Sequence, residues 1–329
     1  MSFIASALFL FASVSLAAQP RTIIEFPNPT WLENLASTRN GTILTGTLGG
    51  AAAELHLVDP FAPINTSSAN STPIHTFPGV NSVFGIAEYE TDIFAVITSN
   101  FSGTTGPVAG TYSVWSVDLS NIPYGVKTNK ITDLPDAKLL NGMTTLNSHT
   151  VLLGDSFADH VLALHVKTGK YEVVLEDPSL AGNTSLPLGI GVNGLDIVDN
   201  NLYYSNFQLG VVGRVPVDRI TGHATGAFTI LATNQTAADD LAVTDDGTVF
   251  FGRLYPKTVV KISPDGTVAT FVDGHKEGEA AVSGATSVAL GRTTRDRGVA
   301  YLSTFGGYSG ENGDGELLGG GKIVAIDLY

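Results

Sequence analysis

The sequence predicts an all-β protein, a six-bladed β-propeller whose ring is closed by an N-terminal strand. Three observations carry this. A short phrase recurs at intervals of roughly 50 residues, the span of one propeller blade. It reads Glu33-Asn34-Leu35, Asn141-Gly142-Met143, Asn193-Gly194-Leu195 and Asp239-Asp240-Leu241, with weaker copies at Phe84-Gly85-Ile86 and Thr286-Ser287-Val288. Val, Ile, Thr, Phe and Tyr dominate the runs between turns, and long amphipathic helical patterns are absent, which favours strands. The last repeat supplies three strands before the chain stops, whereas Arg21–Phe26 is a good strand with no partner of its own.

The blades follow from this phase. Blade one takes Asn34–Ser37, Thr42–Thr45, Ala53–Val58 and Ile74–Phe77, with Phe61–Thr72 as a polar insert. Blade two spans Val83 to Leu134 and contains a Gly-rich loop at Ser102–Gly110. Blade three is the clearest: Asn141–Leu146, Thr150–Gly154, His160–His165 and Tyr171–Leu175. Blade four spans Val192 to Leu231. Blade five runs from Asp239 to Val272 and has two Asp-Gly hairpin signals, Asp246-Gly247 and Asp265-Gly266; such dipeptides favour turns that match strand twist. Blade six runs from Ala285 to Leu328 and includes a Gly-rich loop, Gly306–Gly321, expected to be mobile. Pairing Arg21–Phe26 with this blade closes the ring and removes exposed edges.

Residues 1–18 read as a secretory signal peptide, leaving residues 19–329 as the propeller. The run is apolar and ends in small residues, although it lacks an early Lys or Arg. Six sequons (Asn40, Asn65, Asn70, Asn100, Asn183 and Asn234) fit a secreted or secretory-pathway protein, with Asn65, Asn70, Asn183 and Asn234 as the expected glycosylation sites. The chain has no cysteine, so its stability must come from its core. The formal net charge of −14 argues against nucleic acid and anionic membrane as partners. No stable membrane span is expected, and small apolar molecules are the expected partners.

In a propeller the phrase opens the innermost strand of each blade, so its leading residues form a ring at one end of the channel. Glu33, Asn141, Asn193 and Asp239 offer two carboxylates and two carboxamides, a hard-oxygen set suited to Ca²⁺, Mg²⁺ or Mn²⁺. Asn-Gly and Asp-Asp are also ordinary turn formers, so a purely architectural role stays open. A second ring, from the ends of the returning strands, contains Asp155, Asn206 and Arg253. Asp155 is a candidate base and Arg253 a candidate oxyanion donor, or the two pair with each other. Trp31, Phe101, Phe157, Phe207, Tyr255 and Phe305 are expected to wall the mouth as substrate-binding residues. All seven histidines read as structural or solvated.

With these residues in place, the chain resembles the superfamily of senescence marker protein (regucalcin), gluconolactonase and luciferin-regenerating enzyme. That resemblance implies a six-bladed propeller with one divalent metal, held by Glu33, Asn141, Asn193 and Asp239. Asp240 departs from it, standing where those proteins usually have Gly, and their substrate-binding Arg and Glu have no convincing match here. In its general character, with the phrases Leu140-Asn141-Gly142-Met143, Leu153-Gly154-Asp155-Ser156 and Leu202-Tyr203-Tyr204-Ser205-Asn206, the chain is more similar to the fungal hetero-Diels–Alderases of tropolone–sesquiterpene biosynthesis. That likeness implies cycloaddition of a tropolone-type o-quinone methide with a humulene-type sesquiterpene, needing no cofactor, with Arg253 as hydrogen-bond donor and Asn206 or Tyr255 as alternates. A metal-dependent lactonase and a non-catalytic secreted binding propeller are the competing readings.

Overall fold

The computed structural model describes residues 19–62, 71–182, 189–310 and 314–329. Six four-stranded antiparallel sheets surround one axis. Their inner strands are Trp31–Ser37, Ser82–Glu90, Leu140–Asn147, Val192–Val198, Ala238–Val243 and Ala285–Leu290. Blade three falls within a residue of expectation at each end: Leu140–Asn147, Thr150–Asp155, His160–His165 and Tyr171–Glu176. Blade six is completed by Arg21–Glu25, which pairs with Lys322–Asp327. Apolar side chains fill the spaces between neighbouring blades. Tyr204, Phe84, Phe251 and Tyr301 are among the largest of those fully buried, each worth about 1.5–3 kcal/mol on an apolar-area basis.

The recurring phrase has a definite backbone meaning. In all six inner strands the register against the second strand slips by one residue at the phrase. Blade three shows the pattern: Leu140 pairs with Asp155 and Met143 with Leu153. The phrase is therefore a β-bulge repeated six times, the kind of irregularity that breaks the ladder and re-aims side chains.

The bulges bring neighbouring inner strands into backbone contact. A Cβ on Gly85 would lie 2.6 Å from the Asn141 carbonyl oxygen, one on Gly142 2.1 Å from that of Asn193, and one on Gly194 2.5 Å from Asp240 Cα. Blades two, three and four thus need glycine at the second position of the phrase. Blades one, five and six carry Asn34, Asp240 and Ser287 there, and these three are bonded together. Asp240 Oδ2 accepts from Asn34 Nδ2 at 2.7 Å and from Ser287 Oγ at 2.9 Å. Asp240, the departure seen in the sequence, is the centre of a clamp joining three blades.

One expectation changes here. The described parts of the Gly306–Gly321 loop are tied together: Tyr308 bridges to Leu317, and the Ser309 amide donates to the Glu316 carbonyl at 2.8 Å. The proposed signal peptide and the sequons at Asn65, Asn70 and Asn183 lie outside the described residues, whereas Asn234 is exposed in the connection after Ala232, with φ of 60°. No helix among the described residues is long and apolar enough to cross a membrane.

The inner-strand packing predicts a contrast between two glycines. Gly142→Ala should destabilise the fold by about 3 kcal/mol or more, because backbone must move to admit the methyl. Gly103, which has nothing within 4 Å of the place a Cβ would take, should tolerate alanine within about 0.5 kcal/mol. Chemical denaturation of the two variants checks this.

Candidate functional site

Glu33, Asn141, Asn193 and Asp239 all occupy the leading position of a bulge, and all four side chains are buried. Glu33 Oε2 accepts a 2.6 Å hydrogen bond from Trp31 Nε1. Burial is the main force on its carboxyl, which is pushed up to about 7; the Trp31 bond and the Asn141 side chain oppose the rise, and Asp240 adds to it. Burial likewise holds Asp239 well above the usual carboxylate range, with Glu33 and Asp240 adding repulsion and the Asn193 side chain opposing it. The four predicted residues are therefore neighbours around one polar centre.

That centre is short of positive charge and of donors. Asp240 and Asp196 are also buried near the axis, and burial raises each to about 6. Both make good bonds: Asp196 accepts from the Val243 and Ile197 amides at 2.8 Å. Among the described residues, no Lys or Arg pairs with any of these four carboxyls. Asn193 Oδ1 and Asp239 Oδ1 are buried without a hydrogen-bond partner. Buried polar atoms are ordinarily satisfied, so an orphaned pair calls for an explanation. A divalent cation fits this donor set, since it would use both orphan oxygens and offset the carboxylates. No group of three or more His, Cys, Asp or Glu side chains is placed to hold a metal among the described residues, so such a cation would depend on Asn141 and Asn193.

Around this centre stands an aromatic collar. In blades two to six, an aromatic residue follows the end of the second strand within two positions: Phe101, Phe157, Phe207, Tyr255 and Phe305. Trp31 opens the inner strand of blade one and stacks on Phe305, with centroids 4.5 Å apart. Tyr308 packs on Phe305 at 5.2 Å, and Tyr255 meets Phe207 edge to face at 5.9 Å. Ile190 and Leu317 complete the apolar packing; both come from loops whose place no repeat position signals.

The second ring behaves differently from expectation. Asp155 Oδ1 accepts from the Leu139, Phe157 and Ala158 amides, and Oδ2 from Lys138. Asn206 donates to the Ser179 and Ala181 carbonyls and accepts from the Gln208 and Leu209 amides. Thr304 Oγ1 accepts from Gly306 and Lys322. These strand-end residues stitch loops to blades, so Asp155 is not poised as a base and does not pair with Arg253. Arg253 is half-buried, and its Nε donates to the Thr236 carbonyl at 3.1 Å. Burial lowers its guanidinium. Tyr255 stands inside the field of the acidic centre: burial first, then Asp239, Tyr308 and Glu33, raise its hydroxyl.

No family model matches the chain. It is similar to candidate hetero-Diels–Alderases. One, from Phoma sp, is 24% identical over 307 residues, with 86% of each chain covered. A second, from Sarocladium schorii, is 24% identical over 319 residues, covering 86% of this chain and 77% of that protein. Among solved structures, luciferin-regenerating enzyme superposes with a TM-score of 0.63 at 14% identity, over 94% of this chain and 95% of that one. The calcium-binding regucalcin of Agrobacterium tumefaciens gives 0.62 at 14% identity, over 95% and 96%. These structural likenesses establish the propeller fold.

The raised carboxyls predict a pH dependence. A carboxyl whose folded-state pKa exceeds its unfolded value binds protons more tightly when folded, so stability falls as pH rises through the interval. For Glu33 that interval runs from about 4.5 to about 7. In EDTA the melting temperature should decline across this range, and Glu33→Gln should flatten the decline. Adding Ca²⁺ at neutral pH should restore stability to the parent protein and much less to the variant. Thermal unfolding at a series of pH values measures all three.

Proposed function

We propose that the protein is a pericyclase, catalysing an intermolecular hetero-Diels–Alder cyclisation of a tropolone-type o-quinone methide with a humulene-type sesquiterpene. The observation that carries this reading is the aromatic collar contributed by all six blades, together with similarity to candidate hetero-Diels–Alderases along most of the chain. Both reactants are bulky and largely apolar. Holding them face to face in one register supplies several kcal/mol of the barrier through orientation alone. Trp31, Phe101, Phe157, Phe207 and Phe305 form the walls that set this register.

The donor to the quinone methide carbonyl is assigned to Tyr255 in place of Arg253. Its hydroxyl is protonated at neutral pH, as a tyrosine's ordinarily is; burial and nearby carboxyls raise it further, and it stands in the collar beside Phe207. A hydrogen bond that strengthens as charge develops on the carbonyl oxygen lowers the barrier. Asp155 and Asn206 serve the scaffold. Glu33, Asn141, Asn193 and Asp239 form the floor and would hold Ca²⁺, Mg²⁺ or Mn²⁺. When bound, that ion supplies a Lewis-acidic point for an oxygen of the substrate. The cycloaddition itself requires no cofactor. The apolar leader and the sequons support passage through the secretory pathway.

The donor-poor floor favours one second reading, a metal-dependent lactonase. A single assay matrix separates the two: purified protein with and without EDTA, against a lactone panel and against a generated quinone methide plus humulene. The pericyclase reading expects faster, stereoselective cycloaddition that persists in EDTA and no lactone opening. Tyr255→Phe should lower kcat/KM about 100-fold, whereas Arg253→Met should keep most of the activity. Chelator-sensitive lactone opening without any effect on cycloaddition would establish the alternative.

A further inference from the structure

A groove of about 680 Å³ lies away from the axis, between the ring-closing strand and blade one. Its volume is that of an ordinary small-molecule pocket. One wall comes from Ile24 and Phe26 and the Pro27–Trp31 connection, the other from the third and outer strands of blade one, with Leu48 and the Gly49–Ala52 turn across the end. The walls are mainly apolar; Glu25, Thr30 and Thr47 also line them, and three further polar side chains lie together: Glu54, His56 and Ser71.

These three form a chain. Ser71 Oγ lies 3.1 Å from His56 Nδ1, and Glu54 Oε2 lies 3.3 Å from His56 Nε2. His56 also meets Phe26 of the opposite wall edge to face, at 5.1 Å and 89°. Burial lowers the imidazole's pKa, so a neutral ring with both nitrogens engaged is the expected state at neutral pH. The outward lone pairs of Ser71 and Glu54 are then left to meet a ligand. Trp31 belongs to both sites: it lines the groove, while its indole stacks on Phe305 and bonds Glu33.

We propose that this groove is a second small-molecule site, for a ligand with a hydrocarbon body and one hydroxyl, which donates its proton to the acceptors at Ser71 and Glu54 beside His56. It stands on its own geometry and does not require the reaction proposed above. Because Trp31 touches both places, occupancy of the groove is sensed at the channel mouth.

Farnesol is a suitable probe, with farnesene as its counterpart lacking the hydroxyl, and binding is read by isothermal titration calorimetry. Farnesol should bind one to one and about fivefold more tightly than farnesene, the worth of one net hydrogen bond. Ala51→Trp, which fills the mouth of the groove from an exposed position, should weaken binding at least tenfold, with Ala52→Phe as a second blocking variant. His56→Phe should abolish the preference for the alcohol. In Trp115→Phe protein, Trp31 is the sole remaining tryptophan, and farnesol should shift its emission. Undiminished binding in both blocking variants, with parent-like thermal unfolding, would overturn the proposal. So would loss of farnesol binding in Phe207→Ala at the channel mouth when the blocking variants bind normally.

Discussion

Close approach of six inner strands around one axis governs everything else in this molecule. Each strand carries a bulge at the same level, so the usual ladder is interrupted where space is tightest. The consequence is a demand for glycine in blades two, three and four, where the next blade's backbone occupies the place a Cβ would take. The bulges also leave peptide groups in need of partners. Second-strand hydroxyls provide them: Thr45 donates to the Asn34 carbonyl at 2.8 Å, and Ser205 to the Asp239 carbonyl of the next blade at 2.6 Å. Ser205 also accepts from the Gly194 amide at 2.8 Å. Buried backbone groups are thus satisfied across blade boundaries as well as within them.

The same geometry explains why the centre is acidic while its surroundings are apolar. A bulge turns its leading side chain toward the axis, and these positions hold Glu33, Asn141, Asn193 and Asp239. The loops that return from the second strands sit just outside and deliver one aromatic each from blades two to six. Charge is concentrated where water is excluded, which raises the carboxyls, and aromatic side chains are gathered just outside it. Polar floor and apolar wall are two products of one repeated backbone irregularity.

Much of this was legible in the sequence because the bulge repeats. Periodicity reveals phase, and phase predicted the blades, the ring of Glu33, Asn141, Asn193 and Asp239, and the aromatic collar. What phase cannot reveal is whether a side chain is already committed. Asp155 and Asn206 looked available by position, yet their oxygens are consumed by loop amides that only the folded loops bring near. Asp240 looked like a deviation in a pattern, and its purpose depends on Asn34 and Ser287, which lie 206 and 47 residues away. His56 read as one structural histidine among seven; its partners Glu54 and Ser71 sit on two strands of one sheet, and the facing wall is built by the strand that pairs with the chain's other end.

That facing wall has a further consequence for folding. Arg21 pairs with Ala325 and Glu25 with Lys322, contacts of very high sequence separation whose loop-closure entropy must be met before they form. The groove therefore does not exist until the circle is complete. A molecule lodged there binds the closed ring and not the opened one, so by linkage it would act as a latch on the seam between the first and last blades.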